Sequence, residues 1–231
     1  MLPLRDNIPS RRYPFVNIAL IWTNFLAFAY QLSLGDRLDD FLRLTGVVPA
    51  HFTQGTSPLG WYPLLTSLFL HGGWMHLLGN MLFLWIFGDN VEDRLGHLRY
   101  LFFYLVCGVG ASIVHIFFNL NSTVPAIGAS GAISGVLAGY LMLYPTARVA
   151  TLVIFFFLID IVELPALLFI GIWFLQQFFA GVAMLPFADA AVGGVAYWAH
   201  IGGFVVGFVC VRFFCIKRPA RRRFADEWYP F

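Results

Sequence analysis

The sequence predicts an all-α, polytopic membrane protein with six transmembrane helices, and three observations carry that prediction. Hydrophobic residues fill 60% of the 231 positions and charged residues 11%, with a mean hydropathy of +0.78. A soluble domain of this length needs a far more polar surface. The apolar residues are gathered into stretches near the ~20 residues that cross a bilayer as helix. Basic residues cluster at both ends, Arg5, Arg11 and Arg12 first and Lys217, Arg218, Arg221, Arg222 and Arg223 last. That clustering expects both termini on the cytoplasmic side, and hence an even number of crossings. The formal net charge of +2 is uninformative beside the distribution of charge, and no nucleic-acid partner is expected.

The first span is expected at 15–34. Pro3, Asp6 and Pro9 dilute the basic residues before it and no small-residue cleavage site follows, so it reads as a retained helix rather than a signal peptide. Residues 36–70 form a long mixed connection with Trp61, Tyr62 and Phe69, of interfacial character. Further spans are expected at 74–91, 98–118, 130–144, 165–183 and 199–214, all within a single domain covering 1–231. The stretch at 130–144 is short, as for a helix that begins below the surface with the preceding loop buried in protein. Residues 148–162 allow either a seventh span or a hairpin lying on the membrane. The charge rule selects the hairpin, as does the need to keep Ser130 and His200 on one face; exposure of residue 156 on the outer face would contradict it. Cys107, Cys210 and Cys215 are odd in number and sit in apolar stretches, which argues against a disulfide framework.

Two of the spans open on chemistry. Gly128-Ala129-Ser130-Gly131 heads one and Ala199-His200 heads another, and titratable groups in a membrane segment are functional candidates by default. Serine needs an adjacent base to act as a nucleophile. Of six histidines only His200 starts a span on the side of Ser130. No acid lies within a turn of it, the nearest upstream being Asp189 in a loop, so a Ser-His dyad is expected rather than a triad. Serine at a helix start also serves simply as a cap. Small residues recur every fourth position at Gly131, Gly135 and Gly139, and again at Ala199, Gly203 and Gly207. Such stripes let helices approach closely in lipid, here carrying Ser130 and His200 with them.

His76 and Asn80, spaced i, i+4, share a helix face. With the Ser130 backbone N–H they could converge on a developing oxyanion, or they could simply fasten helices together. His71 falls in the loop before them and is assigned to loop packing. A zinc site from His71, His76 and His200 is the weaker alternative, since no His-Glu-x-x-His occurs and no carboxylate neighbours these histidines. Neither metal nor cofactor is expected.

Taken in order, His71-Gly72-Gly73-Trp74-Met75-His76-Leu77-Leu78-Gly79-Asn80, Gly128-Ala129-Ser130-Gly131 and Ala199-His200-Ile201-Gly202-Gly203 with Gly207 resemble the rhomboid intramembrane serine proteases, bacterial in type, from about Trp61 to Gly207. The resemblance implies a six-helix core around a water-filled cavity open to the non-cytoplasmic side. It also implies a dyad of Ser130 and His200, an oxyanion site of His76, Asn80 and the Ser130 amide, and supporting roles for Gly128, His71, Gly203 and Gly207. Gly128 would keep the loop before the nucleophile close and unhindered. The implied substrates are transmembrane proteins, cut in or near their membrane segments. The chain departs from the family twice. Ser134 stands where some members stack an aromatic on the base, so His200 must be held by Tyr197, Trp198 or an aromatic of a neighbouring helix. Trp61-Tyr62-Pro63 replaces a Trp-Arg pair in the first loop. Two competing readings are a catalytically silent rhomboid-like protein that binds transmembrane helices, and a small transporter whose histidines relay protons. The second would call for acids within spans, whereas Asp160 and Glu163 fall in the proposed hairpin. A bacterial inner membrane is the expected location.

Overall fold

Length and apolarity set the helices, and the computed structural model, which describes residues 1–155, 158–187 and 194–215, contains six long ones. These are α1 (Phe15–Ser33), α2 (Trp74–Leu95), α3 (His97–Phe118), α4 (Ser130–Leu143), α5 (Ala166–Met184) and α6 (Tyr197–Phe214). Four of them, α1, α3, α5 and α6, are long and apolar enough to cross a membrane. The helix α4 is shorter at 14 residues. The helix α2 runs four residues past the expected 91 because its last turns, with Glu92 and Asp93, fold inward and are buried. Gly96 alone joins α2 to α3: its φ of 82° is one that side chains resist, and its N–H caps the Glu92 carbonyl at 2.7 Å.

Small side chains put α4 at the centre. Every residue from Gly131 to Tyr140 is buried, with α2, α3, α5 and α6 packed around it. The outer helices α1 and α5 turn Trp22, Leu26, Leu167 and Phe179 outward, the pattern of lipid-facing surface. Residues 36–70 form short helices at Leu38–Thr45, Pro49–Thr53 and Pro63–Thr66, with Trp61 and Tyr62 exposed. Cys107, Cys210 and Cys215 are all free.

The helical reading is incomplete at one end. Residues 148–155 and 158–162 belong to a hairpin, β2 (Arg148–Phe155) and β3 (Leu158–Pro165), and β1 (Leu2–Asp6) adds to it in the antiparallel order β1-β2-β3. Its β-branched residues suit a pleated surface. An open sheet could not cross a bilayer with its edges unpaired, so these strands fit the hairpin reading rather than a further helical span. Asp160 and Glu163 lie on β3 and are exposed, outside the long helices. Residue 156, Asp189 and the basic tail Lys217–Arg223 lie outside the described residues.

Beside this sheet, at the C-terminal end of α2, a carboxylate network fixes the chain's beginning. Glu92 accepts the Val16 and Asn17 N–H groups at 3.0 and 2.7 Å, satisfying orphan donors of the α1 N-terminus with a negative charge suited to that end of the dipole. Its carboxylate also meets His97 Nδ1. The Asp6 carboxylate accepts from the Tyr140 hydroxyl at 2.5 Å and the Asn90 amide at 2.9 Å, pinning β1 to α4 and α2. Burial pushes the Asp6 carboxyl up to about 6, against the Tyr140 hydrogen bond and with help from the charge of Asp89.

Candidate active site

The first residue of α4 and the fourth of α6 meet side by side. Ser130 Oγ lies 2.8 Å from His200 Nε2, within hydrogen-bond reach for a nucleophile and its base. Glycine makes the approach possible. A Cβ on Gly203 would fall 1.9 Å from the Gly131 carbonyl oxygen, and one on Gly207 2.4 Å from that of Gly135, so the backbones of α4 and α6 touch at both places. The other stripe points elsewhere. Cβ atoms on Gly131 and Gly135 would strike Ala111 and Cys107 of α3 first, at 2.6 and 2.4 Å. The two stripes therefore meet along their backbones, while the Cβ positions of the α4 glycines are directed at α3. One seats α6 on α4, and the other seats α4 on α3.

Gly128, two residues before Ser130, has φ at 130° and donates its N–H to the Ser67 carbonyl at 2.9 Å. Where its Cβ would lie, His76 Nε2 is 2.7 Å away and Ser130 Oγ 3.6 Å away. Only glycine fits there, and the vacant spot it leaves lies between His76 Nε2 and Ser130 Oγ. Ser130 starts α4, so its N–H has no acceptor within the helix. His76 is held from behind by the Gly72 N–H, which reaches its Nδ1 at 3.4 Å.

Asn80 is placed differently. Its side-chain amide donates to His71 Nε2 at 2.9 Å, leaving one amide hydrogen uncommitted. His71 is itself clasped, its N–H and C=O bonded to the Gln31 side chain at 3.0 and 2.9 Å. Its imidazole is buried, which pulls its pKa down to about 4, with the nearby His76 adding to the shift. The chain thus runs Gln31 to His71 to Asn80, bracing the loop and α2 together.

Of the groups around His200, an aromatic from a neighbouring helix was expected and a glutamine was not. Trp198 does not hold His200, being stacked on Phe118 with ring centroids 3.7 Å apart. Trp173 of α5 comes to 5.9 Å from the His200 ring, and Gln177, one turn on, places its Oε1 2.7 Å from His200 Nδ1. Gln177 carries one signal in the sequence, an amide inside a span, but it is shared with Gln176, and only packing separates them: Gln177 is buried and Gln176 exposed. Ser134, standing at the absent aromatic's position, donates back to the Ser130 carbonyl at 2.7 Å. A cavity of about 30 Å³ adjoins Ser130, lined in part by Ser67, Ser112 and His115. That is room for a water molecule or two. Among the described residues no cluster of three His, Cys, Asp or Glu side chains could hold a metal.

A multi-pass helical membrane bundle with a serine and a histidine paired at the ends of two core helices is the class these features define. The chain belongs to the rhomboid family: residues 58–217 match the Rhomboid domain. It is 35% identical over 161 residues to RHOMBOID-like protein 4 of Arabidopsis thaliana, across 69% of this chain and 35% of that protein. Rhomboid protease GluP of Bacillus subtilis (strain 168) shares 44% over 81 residues, 35% of this chain and 15% of that protein. Rhomboid protein 1, mitochondrial, of Saccharomyces cerevisiae shares 28% over 176 residues, 72% of this chain and 46% of that protein. The match spans less than half the length of each of these relatives.

Proposed function

We propose that this protein is an intramembrane serine endopeptidase that cuts transmembrane proteins in or near their membrane segments. The observation that carries the reading is the 2.8 Å approach of Ser130 Oγ to His200 Nε2. His200 Nε2 takes the hydroxyl proton as Oγ bonds to the scissile carbonyl carbon. The oxyanion lies by the vacant spot at Gly128, within range of His76 and the unpaired Ser130 N–H, with Asn80 supplying its free amide hydrogen. His200 then returns the proton to the leaving nitrogen as the C–N bond breaks. Water from the adjoining cavity, activated by the same imidazole, hydrolyses the acyl-enzyme.

Several features complete the proposal. All six long helices cross the bilayer, both termini face the cytoplasm, and the location is a bacterial inner membrane. No metal or cofactor takes part. The keeping of both Ser130 and His200 favours this reading over a silent helix-binding relative. The test is cleavage of a model transmembrane substrate by reconstituted protein beside Ser130→Ala and His200→Ala. Cleavage by the wild type alone supports it, and cleavage retained by Ser130→Ala rejects the nucleophile.

A further inference from the structure

We propose that Gln177 is a positioning residue for the catalytic base, turning the dyad into a relay of Ser130, His200 and Gln177. This inference rests on the protease reading above. In a neutral imidazole one ring nitrogen carries hydrogen and the other accepts. The Gln177 Oε1 facing His200 Nδ1 at 2.7 Å can only accept, so Nδ1 must hold the hydrogen. Nε2 is then the lone pair aimed at Ser130 Oγ at 2.8 Å. The opposite tautomer would donate from Nε2 toward the serine and could not remove its proton. A fixed tautomer is what the third member supplies in serine hydrolase triads, and amides fill that place in some cysteine proteases.

The surroundings explain why the third member is an amide. His200 and Gln177 are both 8% exposed, and a carboxylate in so dry a position is costly to desolvate. The titratable side chains acting on His200 are His76 from α2 and His115 from α3, and no ion pair involves it among the described residues. Gln177 orients the ring without adding charge. Trp173, four residues earlier on the same face of α5, approaches the ring from the same helix. Nucleophile, base and orienter come from α4, α6 and α5 respectively, so the tautomer depends on how those three helices pack.

The experiment compares wild type, Gln177→Leu, Gln177→Glu and Gln176→Leu in liposomes, with Ser130→Ala as blank. Gln177→Leu is expected to lower kcat by about 10²-fold or more, the scale of general-base catalysis, with KM little changed. Gln176→Leu, altering an exposed neighbour, leaves kcat as it was. Gln177→Glu exceeds Gln177→Leu in kcat, and its acidic limb of the pH–rate profile moves to higher pH because a carboxylate favours the imidazolium. Wild-type kcat in Gln177→Leu overturns the proposal, as does a Gln177→Glu variant no better than Gln177→Leu with an unmoved profile. Nitrogen-15 NMR of the His200 imidazole gives a reading without turnover. Hydrogen on Nδ1 in the wild type, and a mixed tautomer in Gln177→Leu, are expected. The same tautomer in both overturns the proposal. A wild type that cuts nothing yet shows this Gln177-dependent tautomer counts against the protease reading, not against the hydrogen bond.

Discussion

The two ends of α2 and α4 hold buried polar networks built on opposite principles. Near the start of these helices stand Ser130, His76, Asn80 and His71, joined by Gln31, Gln177 and His200, all groups that can be neutral. Near their far end stand Glu92, Asp89 and Asp6 with Tyr140 and Asn90. The carboxylate end is anchored by strong, charge-assisted bonds to a helix N-terminus and a strand. Under the proposed mechanism the neutral end passes one proton between two partners, and a fixed buried charge would bias where that proton sits. On that reading carboxylates anchor the chain at one end, and neutral side chains serve where a proton has to move.

Breaking the neutral end should abolish chemistry and spare the fold. Ser130→Ala and His200→Ala are each expected to remove cleavage while leaving the thermal midpoint in detergent close to wild type. Asn80→Ala should cut kcat by about 10²-fold, as for one oxyanion donor, and it should also loosen the loop through its bond to His71. A kcat unchanged in Asn80→Ala would restrict Asn80 to that bracing role. The seam between helices should fail on both counts. Gly203→Ala sets a methyl against the Gly131 carbonyl, at a cost of about 1–3 kcal/mol for overpacking, and thermal unfolding together with cleavage would register it.

Breaking the carboxylate end should do the reverse. Glu92→Ala leaves the Val16 and Asn17 N–H groups unpaired, at about 1–3 kcal/mol for buried unsatisfied donors. Stability falls, while kcat per folded molecule stays near wild type.

The smallest effect sharpens the comparison most, because acidity pulls the two ends in opposite directions. Burial lowers His71 from 6.5 to about 4. As pH falls through that window the unfolded chain takes up the proton first, so this contribution to stability is lost in acid. Burial raises Asp6 from 3.8 to about 6. As pH rises through that window the unfolded chain releases its proton first, so this contribution is lost toward neutrality. Thermal midpoints measured from pH 4 to 7 should rise more steeply with pH in Asp6→Asn than in wild type, and more shallowly in His71→Gln. Equal slopes in all three would remove the distinction.

Much of this was legible in the sequence for definite physical reasons. A bilayer demands long apolar runs, so the helices appear wherever such runs occur, and the stretches expected at 15–34 and 98–118 match α1 and α3 within a residue. Ser130 and His200 stood out because polar groups at the head of such runs are costly. The sheet was less legible: one hairpin of apolar, β-branched residues resembles a span, and its pairing with β1 joins residues almost 150 positions apart.

What the sequence alone determined, then, is the membrane class, the positions of the helices and the residues able to do chemistry, since each follows from local composition and spacing. Tertiary structure alone decided which glycines face which helix, that Asn80 is bound to His71, and that Gln177 rather than Gln176 meets the base. Those outcomes depend on the rotation of one helix against another, and a rotation of about 100°, one residue along a helix, separates a buried partner from a side chain facing lipid.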